Sequence, residues 1–282
     1  MFIYVHFSTP AQVDGFKFDL RLYVAVTSFD PLRIYLYEEG LARFATAKFD
    51  MASSKLENRF VHLTNYSVNK KSAHFVSSPD ASVEDYGNKW SLSALLVHLR
   101  ASGVDTQLLL RRIEDVVIKT IIAGELPIAA ACRTHVPHAG NCFELFGFDV
   151  LIDSDLKPWL LEVNLSPSLA CEAPLDLKIK SHLVADFLTI GLIPAKNPGV
   201  ETELNRAQRH AYLAARQPRS ALIRTSAGDD ETALRRTVIE FEASKLTGFL
   251  RIFPSETSWD DYGIMLEDRS GQSLRLHDNL FR

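Results

Sequence analysis

Phe146-Gly147-Phe148-Asp149-Val150-Leu151-Ile152-Asp153, then Ser154-Asp155-Leu156-Lys157-Pro158, then Trp159-Leu160-Leu161-Glu162-Val163-Asn164 reads as two β-strands around a polar turn. If the hairpin is symmetric about that turn, Asp149 faces Glu162 directly, and Asn164 shares the Glu162 face by alternation. Val150, Ile152, Leu161 and Val163 are then expected to fill the opposite, buried face. Two carboxylates opposed across strands repel one another, and a cation between them resolves the conflict. Carboxylate and amide oxygens without thiolate or imidazole favour a hard ion, and so few protein oxygens suit magnesium shared with substrate phosphates. A solvated hairpin with scattered acids has the same spacing.

Upstream, Phe16 to Val24 alternates Phe18, Leu20, Leu22 and Val24 with Lys17, Asp19, Arg21 and Tyr23, a half-buried strand with one charged face. Asp30-Pro31 marks a turn, and Arg33 to Tyr37 with Leu41 to Thr46 reads as a hairpin closed by Glu38-Glu39-Gly40, placing Arg43 on its second strand. Lys17, Arg21 and Arg43 would offset phosphate charge and fork onto a substrate carboxylate, although a salt-bridged sheet exterior looks the same. His62 to Lys71 is dense in short hydrogen-bonding side chains, either a nucleotide-contacting loop or a polar surface turn.

Leucine and isoleucine spacing predicts helices over 90–101 and 106–123, with Gly103 as the stop between them and Asp105 as the second cap. A helix over 175–190 follows the hairpin. The composition shifts at Pro194-Ala195-Lys196-Asn197-Pro198-Gly199, after which helices over 201–216 and 230–245 and a strand over 249–253 are expected. Strands with charged faces alternate with packed helices, so the fold class is α+β.

The 282 residues are 46% hydrophobic and 23% charged, the balance of an ordinary globular chain. The opening Met1 to Phe7 has neither the basic region nor the apolar length of a signal peptide, and no membrane span is expected. Cys132, Cys142 and Cys171 read as free thiols of a reducing compartment, hence cytoplasmic. A net charge of -4 argues against nucleic acid as the main partner. Cys132, His135, His138 and Cys142 have near-ligand spacing for zinc, but no second cluster supports them, and free thiols with loop histidines suffice. No G-x-S-x-G elbow supports triad hydrolysis.

Asp14 to Val24, His62 to Lys71, Phe146-Gly147-Phe148-Asp149 and Trp159 to Ser168 together resemble the tubulin tyrosine ligase-like enzymes, and Tyr37 to Thr46 is worded most like the family's polyglutamylases. The resemblance implies an ATP-grasp fold in which ATP phosphorylates a carboxylate and an amine attacks the acyl phosphate to form an amide. Free L-glutamate would supply the amine, with ATP and Mg2+ as cofactors and the acidic tails of tubulin in microtubules as acceptor. Carried over by motif, Asp149, Glu162 and Asn164 hold magnesium, and Lys17, Asp19, His62, Thr64 and Asn65 contact ATP. Arg21 and Arg43 are the catalytic arginines that meet substrate carboxylates, with Arg43, Tyr66, Ser67 and Lys89 around the glutamate. Such chemistry needs positioning and charge stabilisation rather than a protein nucleophile. The expected setting is a monomer on the cytoskeleton, including the cilium, basal body or centrosome.

The resemblance divides the chain into an atypical segment 1–13, a catalytic core 14–193 and a helical, partly basic extension 194–282. Only 13 residues precede Asp14, so an incomplete ATP-grasp lacking its N-terminal part is expected, and the chain by itself is expected to be inactive. From Lys196 to Arg251 ten Lys/Arg against seven Asp/Glu give +3, and Ile252 to Arg282 carries three against six, or -3. Arg206, Arg209, Arg216, Arg219 and Arg224 would meet an acidic microtubule surface, or form a solvated helical face. The alternatives to glutamate ligation are a non-catalytic microtubule-binding fragment, and glycine or tyrosine ligation on the same fold.

Overall fold

The alternating run upstream becomes the long strand β2 (Phe16–Phe29), preceded by β1 (Gln12–Val13). A computed structural model of the chain describes residues 9–52, 57–136, 142–191, 240, 242, 244, 245 and 247–266. After β2 come β3 (Leu32–Tyr37), β4 (Leu41–Phe44), α1 (Arg59–His62), α2 (Tyr66–Asn69), β5 (Lys89–Ser91), α3 (Leu92–Ala101) and α4 (Thr106–His135). The hairpin strands β6 (Glu144–Ile152) and β7 (Pro158–Leu165) follow, then α5 (Pro174–Ile190), β8 (Phe249–Phe253) and α6 (Ser258–Tyr262). The result is a mixed α/β chain with an antiparallel sheet. Among the described residues no helix is long and apolar enough to cross a membrane.

The chain divides into two compact units. The first comprises Met1–Val24, Leu36–Val117 and Leu145–Val184. In it β4 pairs with β2, aligning Asp19 with Arg43 and Arg21 with Leu41, and β5 adds to β4 with Lys89 opposite Arg43. The expected hairpin between Arg33–Tyr37 and Leu41–Thr46 does not form, because β3 and β4 each pair with β2 rather than with one another. Strand β6 also pairs with β2, so β2 is an interior strand, and its charged face is covered: Asp19 is 3% exposed and Tyr23 fully buried. A charged face that was expected to meet water must therefore be paired internally.

The hairpin register places Asp149 opposite Glu162, the pairing read from the sequence, and Gly147 opposite Asn164, but the bulge described next produces it rather than symmetry about the turn. Beyond Asp149 the register shifts, so that Val150 faces Leu160 and Leu161 is the extra residue of a bulge. Among the described residues β7 pairs with β6 alone. Val150 and Ile152 are buried as expected, but Leu161 and Val163 are exposed at 47% and 38%, a departure from the inward packing read for them. The bulge and the open edge account for it.

Helical readings hold with shifted ends. The first two residues of the run starting at Trp90 belong to β5, and Ser91 caps α3 by accepting from Ala94 N. Gly103 takes φ +86°, and Asp105 Oδ1 accepts from Leu108 N at 2.9 Å. Helix α4 runs on through Gly124 and Pro127.

The second unit comprises Ala25–Tyr35, Ile118–Glu144 and Ala185–Arg282. Phe143, Phe187 and Phe249 stack in sequence with centroids 5.6 and 6.4 Å apart, and Asp186 accepts from Gly248 N at 2.9 Å. Glu242, 4% exposed, pairs with Arg33 at 3.1 Å and accepts the Tyr35 hydroxyl. The arginines from Arg206 to Arg224, the helix expected over 201–216 and all of that expected over 230–245 except residues 240, 242, 244 and 245 lie outside the described residues.

Candidate active site

Three strands of the first unit bring four charged side chains together. Arg43 on β4 forks onto Asp19 of β2 at 2.8 and 2.7 Å and reaches Asp149 of β6 at 2.8 Å. Arg21, two residues along β2 from Asp19, forks onto Asp149 at 2.5 and 3.0 Å. Both arrangements are bidentate, the geometry a planar guanidinium imposes on a carboxylate. Burial pushes the Asp149 carboxyl up, but the bonds from Arg21 and the charges of Arg43 and Arg21 outweigh it and hold it below its ordinary value. Burial likewise lowers Arg43, yet Asp19 and Asp149 together raise it. The repulsion expected between Asp149 and Glu162 is thus relieved on the Asp149 side by two guanidinium groups.

The polar segment after β4 folds onto this cluster. Thr64 donates its hydroxyl to Asp19 Oδ2 at 2.6 Å, completing the shell of that carboxylate. Lys17 donates to the His62 carbonyl at 2.7 Å, with its ammonium lowered by burial against the opposing pull of Asp19. The loop is held by Asn69, 1% exposed: its Oδ1 accepts from Thr46 N and Oγ1, and its Nδ2 donates to the Leu63 and Asn65 carbonyls. This makes His62 to Asn69 a built loop rather than a surface turn.

Glu162 and Asn164 stand on the same hairpin face as Asp149, and Glu162 is exposed. Asn164 Nδ2 donates to Glu162 Oε1 at 3.1 Å. Gly147 leaves that face open to its neighbours, because a Cβ there would lie 2.7 Å from Pro167 Cβ and 3.5 Å from Arg21 Cδ. Asp149, whose two oxygens already accept from Arg21 and Arg43, the exposed Glu162 and the Asn164 amide present hard oxygens of the kind a small divalent cation takes. Among the described residues no group of three His, Cys, Asp or Glu gathers as a metal centre, and Cys132, Cys142 and Cys171 are free.

Lys89, on β5, forms a second focus. Its ammonium bonds Asp176 Oδ2 at 2.6 Å and lies 4.9 Å from the centroid of the Tyr66 ring, while the Tyr66 hydroxyl donates to Glu172 at 3.4 Å. Ser67 is exposed beside them in sequence. A cavity of about 490 Å³ in the same unit, lined by Phe16, Phe44, Tyr86 and Trp90, includes none of the nominated residues.

A profile of the tubulin-tyrosine ligase family matches residues 4–199, which contain every side chain named above. The chain belongs to that family. It is 47% identical over 307 aligned residues to tubulin polyglutamylase TTLL5 of Mus musculus, covering 98% of this chain and 23% of that protein. The TTLL5 of Homo sapiens is 48% identical, with 98% and 24% covered, and tubulin monoglutamylase TTLL4 of Homo sapiens is 47% identical over 187 residues, with 66% and 15% covered. The chain spans about a quarter of the length of the TTLL5 relatives.

Of the residues nominated from the family motifs, Asp19, Arg21, Arg43, Thr64 and Asp149 form one bonded cluster, while Lys17 bonds the His62 carbonyl and feels the charge of Asp19. Asn65 takes its place as the cap of α2, exposed. Two site-shaping residues escaped the sequence reading, Asn69 and Asp176. Asn69 had no signal beyond its polar neighbourhood. Asp176 had one, an acid in the first turn after Pro174, which ordinarily reads as a helix cap alone.

Proposed function

We propose that this tubulin-tyrosine ligase family chain carries the metal and carboxylate half of an ATP- and magnesium-dependent glutamate ligase acting on the acidic tails of tubulin. The observation that carries the reading is the meeting of Arg21 and Arg43 with Asp19 and Asp149 beside the exposed Glu162. The names of the relatives, tubulin polyglutamylase and monoglutamylase, support glutamate as the transferred amino acid.

In this reading Asp149, Glu162 and Asn164 hold the cation, which when bound neutralises phosphate charge and polarises the phosphoryl group. Lys17, with Asp19, His62, Thr64 and Asn65, lines the nucleotide. The acceptor carboxylate displaces ADP from the γ-phosphoryl group, the glutamate amine then attacks the acyl carbon, and phosphate leaves as the amide forms. Arg43 and Arg21 hold the carboxylates and disperse negative charge as the tetrahedral species develops. Lys89, Tyr66 and Ser67 receive the incoming glutamate. Fixing Arg43 on two buried carboxylates keeps its fork in place without reorganisation during reaction.

The assignment of 14–193 as an ATP-grasp core completed by further sequence, with 194–282 as a basic extension toward the microtubule, belongs to the same proposal. Its test is transfer of labelled glutamate, glycine and tyrosine to microtubules by the protein with ATP and Mg2+. Glutamate label is expected. Glycine or tyrosine label in its place overturns the substrate assignment, and microtubule binding with no transfer by a full-length preparation would leave only a binding module.

A further inference from the structure

Asp176 lies at the start of α5, fully buried, at a point where two lysine side chains converge on it. Its Oδ2 accepts Lys89 Nζ at 2.6 Å and the backbone N–H groups of Glu172 and Ala173 at 3.2 and 3.0 Å. Its Oδ1 has no hydrogen-bond partner and lies 3.7 Å from Lys180 Nζ. Lys180 is itself 8% exposed and spends its ammonium on the Ala170 carbonyl at 2.5 Å. Burial first, then the charges of Lys89 and Arg21, lower its proton affinity, against the pull of Asp176.

The charges do not cancel. Lys89 and Lys180, with Lys70 5.1 Å from the centroid of the Tyr66 ring, contribute three positive charges against the two negative charges of Asp176 and Glu172, leaving an excess of one positive charge around that ring. An unpaired lysine on a flexible four-carbon stem would sample many rotamers and lose that freedom on binding. Here the stem is clamped from two sides before any ligand arrives, by the aromatic face and by the carboxylate. The second lysine keeps the clamp from neutralising the first.

We propose that Asp176 is a positioning residue for amino-acid recognition, holding the Lys89 ammonium in place while Lys180 preserves the net positive charge that draws a substrate carboxylate. This rests on the reading that Lys89 meets free L-glutamate. Asp176 acts through Lys89 and touches no substrate itself.

Acylation footprinting of the purified chain tests it, with Lys89 modification read by mass spectrometry and exposed Lys71 as the internal reference. In the wild type L-glutamate slows Lys89 acylation several-fold and glycine does not. In Asp176→Asn, Lys89 is acylated several-fold faster without ligand, glutamate protection is lost, and Asp176→Glu regains part of it. Equal protection in wild type and Asp176→Asn overturns the positioning role and leaves the glutamate site standing. Absence of protection in the wild type removes the glutamate reading of Lys89 and this inference with it. If Asp176→Asn does not fold, Lys180→Met decides: weaker glutamate protection with unchanged Lys71 acylation supports the charge balance, and unchanged protection overturns it.

Discussion

Two buried charge clusters, one in each unit, are built from similar parts. In the first unit Arg21 and Arg43 meet Asp19 and Asp149, and in the second Arg33 meets Glu242 and the Tyr35 hydroxyl. Both follow the rule that a buried charge is paired. The first differs in what lies next to it: an exposed carboxylate, an amide on the same hairpin face, a hydroxyl and a lysine-anchored loop. In the second Glu242 is closed on its two partners, and the unpartnered Arg33 Nε is buried. Burial and pairing alone therefore do not mark a site; what separates the first cluster is the exposed Glu162 and the Asn164 amide beside it.

Substitution of Arg43 should give the largest effect and tests the contrast directly. Arg43→Ala leaves Asp19 and Asp149 with one guanidinium and one hydroxyl between them. Removing one partner of a buried pair costs about 3–5 kcal/mol. Thermal or urea unfolding measures it, and affinity for a fluorescent ATP analogue should fall as well. Arg43→Lys keeps the charge but loses the fork, so recovery of stability without recovery of nucleotide affinity would confirm that geometry, not charge alone, matters.

Glu242→Gln is the matching change in the second unit. It keeps an acceptor for Tyr35 and removes the charge facing Arg33, a loss of about 1–3 kcal/mol. Unfolding should report it, while nucleotide affinity of the folded protein stays at the wild-type value. A fall in affinity would break the distinction between a structural and a functional cluster.

Acid gives a smaller, reversible version of the first test. Asp149 is held below its ordinary value, so its contribution to stability is present above the unfolded carboxylate value, about 3.9, and is lost as pH falls through its lower folded value. Unfolding midpoints followed from pH 5 downward should drop in the wild type, and less steeply in Asp149→Asn. Equal slopes would mean that Asp149 is not the group being titrated.

Much of the site was legible because its signals are local. The Asp149 and Glu162 pairing read from the hairpin is present, although a bulge rather than symmetry about the turn sets it, since nearer the turn Val150 faces Leu160 and Ile152 faces Pro158. Asp105 and Gly103 declare the start of one helix and the stop of another through side-chain and backbone chemistry. What escaped depends on distant partners. The bulge at Leu161 changes which residues face inward, and no composition announces an extra residue in a strand. That β3 and β4 both take β2 as partner is decided by the length of β2, since 14 residues can serve two shorter strands. Asp176 gave no site signal because its lysine partner Lys89 lies 87 positions away.

The finest comparison removes one hydroxyl from each cluster. Thr64→Val deletes the bond to Asp19, and Tyr35→Phe deletes the bond to Glu242, with every charge retained. Each hydroxyl serves a carboxylate, so each loss costs about 1.5 kcal/mol in unfolding free energy. If equal stability losses come with a weaker ATP analogue for Thr64→Val alone, the two bonds do the same physical work and only one lies against a ligand. Equal affinity losses from both would mean that nucleotide binding senses global stability, and would remove Thr64 from the nucleotide site. The Asp19 carboxylate also keeps its two bonds from Arg43 when Thr64 is changed, so the affinity change isolates the hydroxyl from the arginine fork.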